Sequence, residues 1–290
     1  MGGHGSIVAV GCPPGTAERA LDLAARCERL WSRFDRSSEI SRLNAAEGAP
    51  VRVDPLTVRL IEAMRDGHAL SRGHFDSTLL PLLIEAGYAA SAVDPSRVTV
   101  LPRSARAPGD LAAVVIDGAI VRLPPGTTLD PGGIGKGLAA DIIVAWLLDQ
   151  GAAGALVELG GDVVVAGESP EGCGWRIGVE DPFGGTEAVC TVSLDSGAVA
   201  TSSQRKRRWP TAGGEAHHLI SAVSRTSFAT PVQTVTVIGG AGWYAEALTK
   251  AGFGMPASRF LEWLPGVRAA GAVIDDAGAI FTSANWKDYL

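Results

Sequence analysis

Asp130-Pro131-Gly132-Gly133-Ile134-Gly135-Lys136-Gly137 runs directly into the apolar stretch Leu138 to Leu148. Glycines let a backbone approach a ligand closely, and N–H groups at a helix start favour bound anions. Lys136 adds a point charge suited to phosphate, and Asp130 could accept hydrogen bonds from a base or sugar. Together they point to a phosphorylated ligand. The nucleoside-triphosphate loop does not fit, because Asp130 stands where its first glycine belongs and Gly137 where its metal-binding hydroxyl belongs. Gly135, Gly137 and Ala140 match the dinucleotide pattern, but Pro124-Pro125-Gly126 upstream is turn chemistry, not the buried strand that pattern follows. With 37 glycines in the chain, a tight turn before a helix is the competing explanation.

Histidines and carboxylates supply the other candidates. His217-His218 at a strand end reads either as a structural pair or as a base beside the ligand. Asp76 either lines a site or caps the helix near Leu79, and Asp162 after two glycines reads as a turn residue. Cys12, Cys27, Cys173 and Cys190 have neither zinc nor redox-motif spacing, and no disulfide framework is needed at this length.

These residues need a scaffold. The 290 residues are 46% hydrophobic and 19% charged, the balance of a globular protein with a large core. A net charge of −6 argues against nucleic acid as partner, and Arg205-Lys206-Arg207-Arg208 reads as a solvated loop or a contact for a ligand phosphate or acidic partner. No uncharged apolar run is long enough for membrane insertion, and Met1 to Ser6 is no signal peptide, so a cytoplasmic protein is expected. Helical spacing predicts helices over Thr16–Phe34, Pro55–Ser71, Leu79–Ala86, Ile134–Leu148 and Trp243–Ala251. Strands are expected at Ser6–Val10, Ala155–Leu159, Val163–Ala166, Trp175–Val179, Val189–Leu194, Ala198–Thr201, His217–Ile220 and Gln233–Ile238, with hairpins around Asp117-Gly118 and Asp276-Ala277-Gly278. Ser37 to Asn44 reads as turn-like. Without strict strand–helix alternation, the fold class is α+β, as one compact domain over 1–290 with mixed or antiparallel sheets and flanking helices.

Taken in order, the motifs resemble the ApbE family, the FAD:protein FMN transferases. They are Met1-Gly2-Gly3; Ser38-Glu39-Ile40-Ser41-Arg42-Leu43-Asn44; Phe75-Asp76-Ser77-Thr78 with Pro81-Leu82; Asp130 to Gly137 with Ala140-Asp141; Gly160-Gly161-Asp162; Thr201-Ser202; His218-Leu219-Ile220; and Ala245-Glu246-Ala247-Leu248. The resemblance implies FAD as substrate, Mg²⁺, and transfer of FMN to a threonine or serine of a target flavoprotein with release of AMP. It implies that His74, Phe75, Asp76, Asp130 and Lys136 line the FAD site. Gly133 and Glu246 would hold the metal, with Thr249 as a further oxygen, and His218 would activate the acceptor hydroxyl. Met1 would match a flavin-contacting residue.

Two departures fall on that site. The family's metal-holding Asp and final Thr in Ala-Asp-Ala-Leu-x-Thr are Glu246 and Lys250 here, and Asp-Pro-x-Thr-Gly after the histidine is Ser221-Ala222-Val223-Ser224-Arg225. Three readings follow: a working transferase with a remodelled metal site, an FAD-binding protein or FAD hydrolase, or a flavin-binding protein whose Lys250 ammonium occupies the metal's place. The first is adopted here, because the rest of the motif set is intact.

Overall fold

The computed structural model describes residues 4–211 and 214–290; the Met1 expectation lies outside them. In chain order the elements begin with β1 (Gly5–Val10), α1 (Thr16–Trp31), α2 (Glu39–Ala45), β2 (Val51–Arg52), α3 (Pro55–Leu70), α4 (Leu80–Glu85), β3 (Val115–Asp117), β4 (Ile120–Arg122) and α5 (Gly135–Asp149). There follow β5 (Gly154–Leu159), β6 (Asp162–Gly167), β7 (Trp175–Glu180), β8 (Ala188–Leu194), β9 (Gly197–Ser203), β10 (Arg208–Thr211), β11 (Gly214–His217), β12 (Val232–Gly239), α6 (Gly242–Gly254), α7 (Ala257–Trp263), β13 (Ala270–Asp275) and β14 (Ile280–Thr282).

Period-2 alternation in the valine-rich strands divides the core between two faces of one sheet. Seven strands pair in the order β1-β5-β6-β9-β12-β13-β14, every pair antiparallel. Val164, Ala198, Ala200, Val235 and Val237 meet Ala140, Ile143, Leu147, Ala245 and Leu248 of α5 and α6 on one face. On the other, Val163, Val165, Val199 and Ile238 pack under Trp175, Ile177 and Val192 of the β7–β8 hairpin. A third cluster joins α1 and α3 through Trp31, Leu60 and Met64 to Leu129 and Ile134, which flank the Gly-rich loop. The α+β expectation holds, with antiparallel sheets and flanking helices.

Three departures from the sequence expectations have local causes. Ser37–Asn44 is helical from Glu39, because Ser38 caps α2 by accepting the Ser41 N–H at 3.1 Å. The strand expected at His217–Ile220 lies earlier, as β11 paired with β10 across a hairpin that the basic run conceals. Helix α7 was not expected; it begins after Pro256, whose ring suits the position preceding a helix.

Candidate functional site

Gly137 and Gly242 set the crossing of α5 over α6. A Cβ on Gly137 would stand 2.3 Å from the Gly242 carbonyl carbon, so only glycine permits the approach. Asp141, one turn further along α5, accepts the Gly242 and Trp243 N–H groups at 2.6 and 3.0 Å and thereby caps α6. Burial pushes the Asp141 carboxyl up to about 6 against those two donors. The crossing brings Lys136 of α5 beside Glu246 and Lys250 of α6.

Lys136 Nζ donates to Glu246 Oε1 at 2.5 Å and to Asp162 Oδ2. Glu246 Oε2 accepts the Gly137 N–H at 2.8 Å, and Asp162 Oδ1 accepts the Thr201 N–H at 3.2 Å. Both carboxylates hold the Lys136 ammonium charged against its desolvation, and its pKa rises. Burial pushes the Glu246 carboxyl up, opposed by Lys136. Asp162, read from the sequence as a turn residue, is also a charge partner of Lys136. Gly160 and Gly161 make the turn, both with positive φ (62° and 92°), and Asp162 opens β6 opposite Leu159 with its side chain buried. Two consecutive glycines before an acid at a strand start was the available signal.

Lys250 is half-buried one turn beyond Glu246. Its Nζ donates to the Glu246 carbonyl at 3.0 Å, to Ser202 Oγ at 3.1 Å and to Thr249 Oγ1 at 3.2 Å. Desolvation brings the ammonium down to about 8, with Glu246 pulling it back up. Thr249 Oγ1 is also bonded to the Glu246 carbonyl and to Ser202 Oγ, both at 2.7 Å. Its side chain points among Lys250's own partners.

The Gly-rich loop is held from beneath. Asn44, on α2, donates to the Leu129 carbonyl at 2.9 Å and accepts the Leu129 N–H at 2.7 Å, a two-bond clamp with both groups buried. Asp130 accepts the Gly132 N–H at 3.0 Å and faces Arg33 Nε at 3.5 Å. Phe75 is buried under Gly133, 3.0 Å from where a Cβ there would lie. Asp76 does not cap the helix: α4 starts at Leu80 after an uncapped Leu79, and Asp76 Oδ1 instead accepts the Thr78 N–H and hydroxyl at 2.8 and 2.6 Å.

The histidine pair divides its roles. His217 is buried, its Nε2 against the Phe228 carbonyl at 3.1 Å and its Nδ1 accepting the Leu219 N–H at 3.3 Å, a structural residue. The His218 Nδ1 is buried with no hydrogen-bond partner. Burial first, then Arg207 and Lys250, drive its pKa down to about 3, so the ring is neutral. After it, Ser221 to Thr226 turns without proline or glycine: Ser221 N–H donates to the Thr226 carbonyl at 2.9 Å, Arg225 takes φ 62°, and its guanidinium reaches the Ala107 carbonyl at 2.7 Å.

One cavity of about 570 Å³ gathers these groups, a volume ordinary for a ligand site. His74, Phe75, Asp76, Asp130, Lys136, Gly133, Glu246 and His218 all line it, with Lys250 beside them; Thr249 and Asp162 stand behind. Arg33 and Arg97, which the motifs did not single out, also line it, as do Lys206 and Arg207 of the basic run. Arg33 lies over the Phe34 and Tyr88 rings at 4.1 and 4.8 Å, and Tyr88 stacks on Trp209 at 5.4 Å. The basic run thus meets the cavity through Lys206 and Arg207.

The donor set named for Mg²⁺ does not fit a divalent ion. Glu246 is engaged by an ammonium and a backbone N–H, Thr249 by Ser202, and the Lys250 ammonium lies among the remaining oxygens. Among the described residues no three His, Cys, Asp or Glu side chains are placed to hold a metal ion. Nor is any helix there long and apolar enough to cross a membrane.

The ApbE family model matches residues 1–274. The chain belongs to the ApbE family. It is similar to the FAD:protein FMN transferase of Klebsiella pneumoniae (strain 342), 27% identical over 277 residues, 93% of this chain and 82% of that one. It is 30% identical over 253 residues to the FAD:protein FMN transferase of Treponema pallidum (strain Nichols), covering 81% and 70% of the two chains. The crystal structure of the ApbE protein of Thermotoga maritima superposes with a TM-score of 0.84 at 28% identity, over 98% of this chain and 94% of the other. ApbE membership makes the chain an enzyme of the transferase class and accounts for the order of its motifs.

Proposed function

We propose that this chain transfers the FMN half of FAD to a threonine or serine hydroxyl of a flavoprotein acceptor and releases AMP. The observation that carries the reading is the convergence, in one cavity, of the Gly-rich loop, the cationic wall of Arg33, Lys206 and Arg207, and a neutral His218 with an unpartnered Nδ1. Cations and loop N–H groups suit a pyrophosphate, and guanidinium groups match its oxygens in pairs. A hydroxyl is a poor nucleophile until a base takes its proton, and the unpartnered Nδ1 of His218 at the cavity wall is the acceptor the geometry offers. The attacking Oγ forms a bond to the FMN phosphorus while the bridging P–O bond breaks, and AMP leaves with the electron pair. Positioning and charge stabilisation supply the rate, and no step is routed through a metal ion.

The same groups could direct water at the same phosphorus, which would make the protein an FAD hydrolase. Four free cysteine thiols accord with the cytoplasmic setting expected from the sequence. The test is incubation with FAD and a threonine-bearing flavoprotein acceptor, reading intact mass and released AMP together. An acceptor that gains the FMN phosphoester, with AMP release and loss of both in His218→Ala, is the expected result. AMP without acceptor modification would replace transfer by hydrolysis.

A further inference from the structure

Lys250 carries its charge to a place where oxygens converge. A lysine ammonium has three N–H donors and no acceptor, and here three oxygens within 3.2 Å take all of them. Its Cε lies 3.2 Å from where a Cβ on Gly133 would stand, so the stem runs along the Gly-rich loop at the cavity wall. The Lys136 charge is offset by the two carboxylates that engage it, Asp162 and Glu246, whereas the Lys250 ammonium is held by neutral oxygens alone. Two lysines and two carboxylates leave this cluster neutral as it stands. Magnesium requires near-octahedral oxygens at about 2.0–2.1 Å, and any ion among the Lys250 partners would meet the ammonium directly.

We propose that the Lys250 ammonium is a built-in cation standing in place of a divalent metal ion, so that the pyrophosphate of FAD is held and cleaved without metal. This rests on the FMN-transfer reading. The bond changes are those already given: Oγ–P forms, the bridging P–O breaks with its electron pair to AMP, and the hydroxyl proton passes to His218. Lys250 acts on the phosphate oxygens through its charge at the cavity wall, its N–H groups staying on Ser202, Thr249 and the Glu246 carbonyl. Replacing it by a neutral residue leaves the cluster with one net negative charge, the condition that attracts a cation.

The experiment has two arms on the full-length protein. In the first, Mn²⁺ is titrated and the free ion followed by electron paramagnetic resonance. Wild type should leave the signal undiminished, whereas Lys250→Thr should bind the ion. In the second, FAD binding is followed by flavin fluorescence in excess EDTA and in excess MgCl₂. Wild-type Kd should change by less than about twofold between the two, and Lys250→Thr should bind roughly tenfold more weakly in EDTA than in MgCl₂. Lys250→Met, close in shape but uncharged, should lose FAD affinity in both media. Stoichiometric Mn²⁺ binding by wild type, or wild-type FAD binding that needs MgCl₂, overturns the proposal. No FAD binding in either medium overturns the FMN-transfer reading instead, and the Mn²⁺ arm still judges Lys250.

Discussion

Gly137 on α5 and Gly242 on α6 touch backbone to backbone, and each excludes a side chain at the other: a Cβ on Gly242 would fall 2.5 Å from the Gly137 carbonyl oxygen. This contact, more than any ligand, explains the last glycine of the Gly-rich segment. In an ordinary helix interior, glycine to alanine is stabilising by up to about 1 kcal/mol. Here Gly137→Ala should destabilise by about 1–3 kcal/mol or more, since backbone and not a movable side chain lies in the way. Thermal unfolding checks it, with Gly266→Ala as a control where no atom lies within 4 Å of the added Cβ and φ is not left-handed.

Asn44→Ala should act at a distance. The variant leaves the Leu129 N–H and carbonyl buried without partners, at a cost of about 1–3 kcal/mol. Because Leu129 abuts Asp130, FAD affinity should fall together with stability. Asn44→Asp, which can still accept the Leu129 N–H, should recover part of both. Urea unfolding and flavin fluorescence on the same samples measure the two effects; affinity unchanged in a destabilised Asn44→Ala would show that the clamp does not position the loop.

His218 gives a pH signature. Its folded pKa lies near 3, below the unfolded value of about 6.5, so the native state excludes a proton that the unfolded chain takes up. The contribution of this neutral ring to stability is fully present above about pH 6.5 and is lost progressively as pH falls toward 3. Between those limits the slope is at most about 1.4 kcal/mol per pH unit. His218→Gln should flatten that part of the stability curve and reduce transfer by roughly 10²–10⁴-fold. Denaturant unfolding at a series of pH values and the ring carbon shifts of His218 are the measurements; a ring that titrates near 6.5 would sink the account.

What the sequence made legible was the set of long, strongly patterned elements and the order of the motifs. The 3.6-residue spacing in Thr16 to Trp31 and the valine run of β6 need no tertiary knowledge to read. Partnerships across the chain were not legible. That Ser38-Glu39-Ile40-Ser41-Arg42-Leu43-Asn44 is a capped helix whose end grips Leu129 depends on residues 85 positions apart. Likewise Arg33 lies within an expected helix, and only the fold shows it buried between Asp130 and the Phe34 and Tyr88 rings. Lys250 stood out only because a motif broke there; its oxygen partners come from β9 and from its own helix.

Asp162 separates a turn residue from a charge partner by experiment. If it only shaped the Gly160-Gly161 turn, Asp162→Asn would be nearly neutral, since asparagine tolerates such positions equally well. In the structure Asp162→Asn still accepts the Thr201 N–H but removes one of the two negative charges around Lys136. Breaking a fully buried pair costs about 3–5 kcal/mol, and the partly accessible Lys136 side chain lowers the expectation to about 2–3 kcal/mol. Lys136 then has Glu246 as its remaining counter-charge, and the cluster gains one positive charge. Asp162→Asn should therefore unfold earlier in urea while binding FAD no more weakly at low salt. A variant as stable as wild type would return Asp162 to the turn.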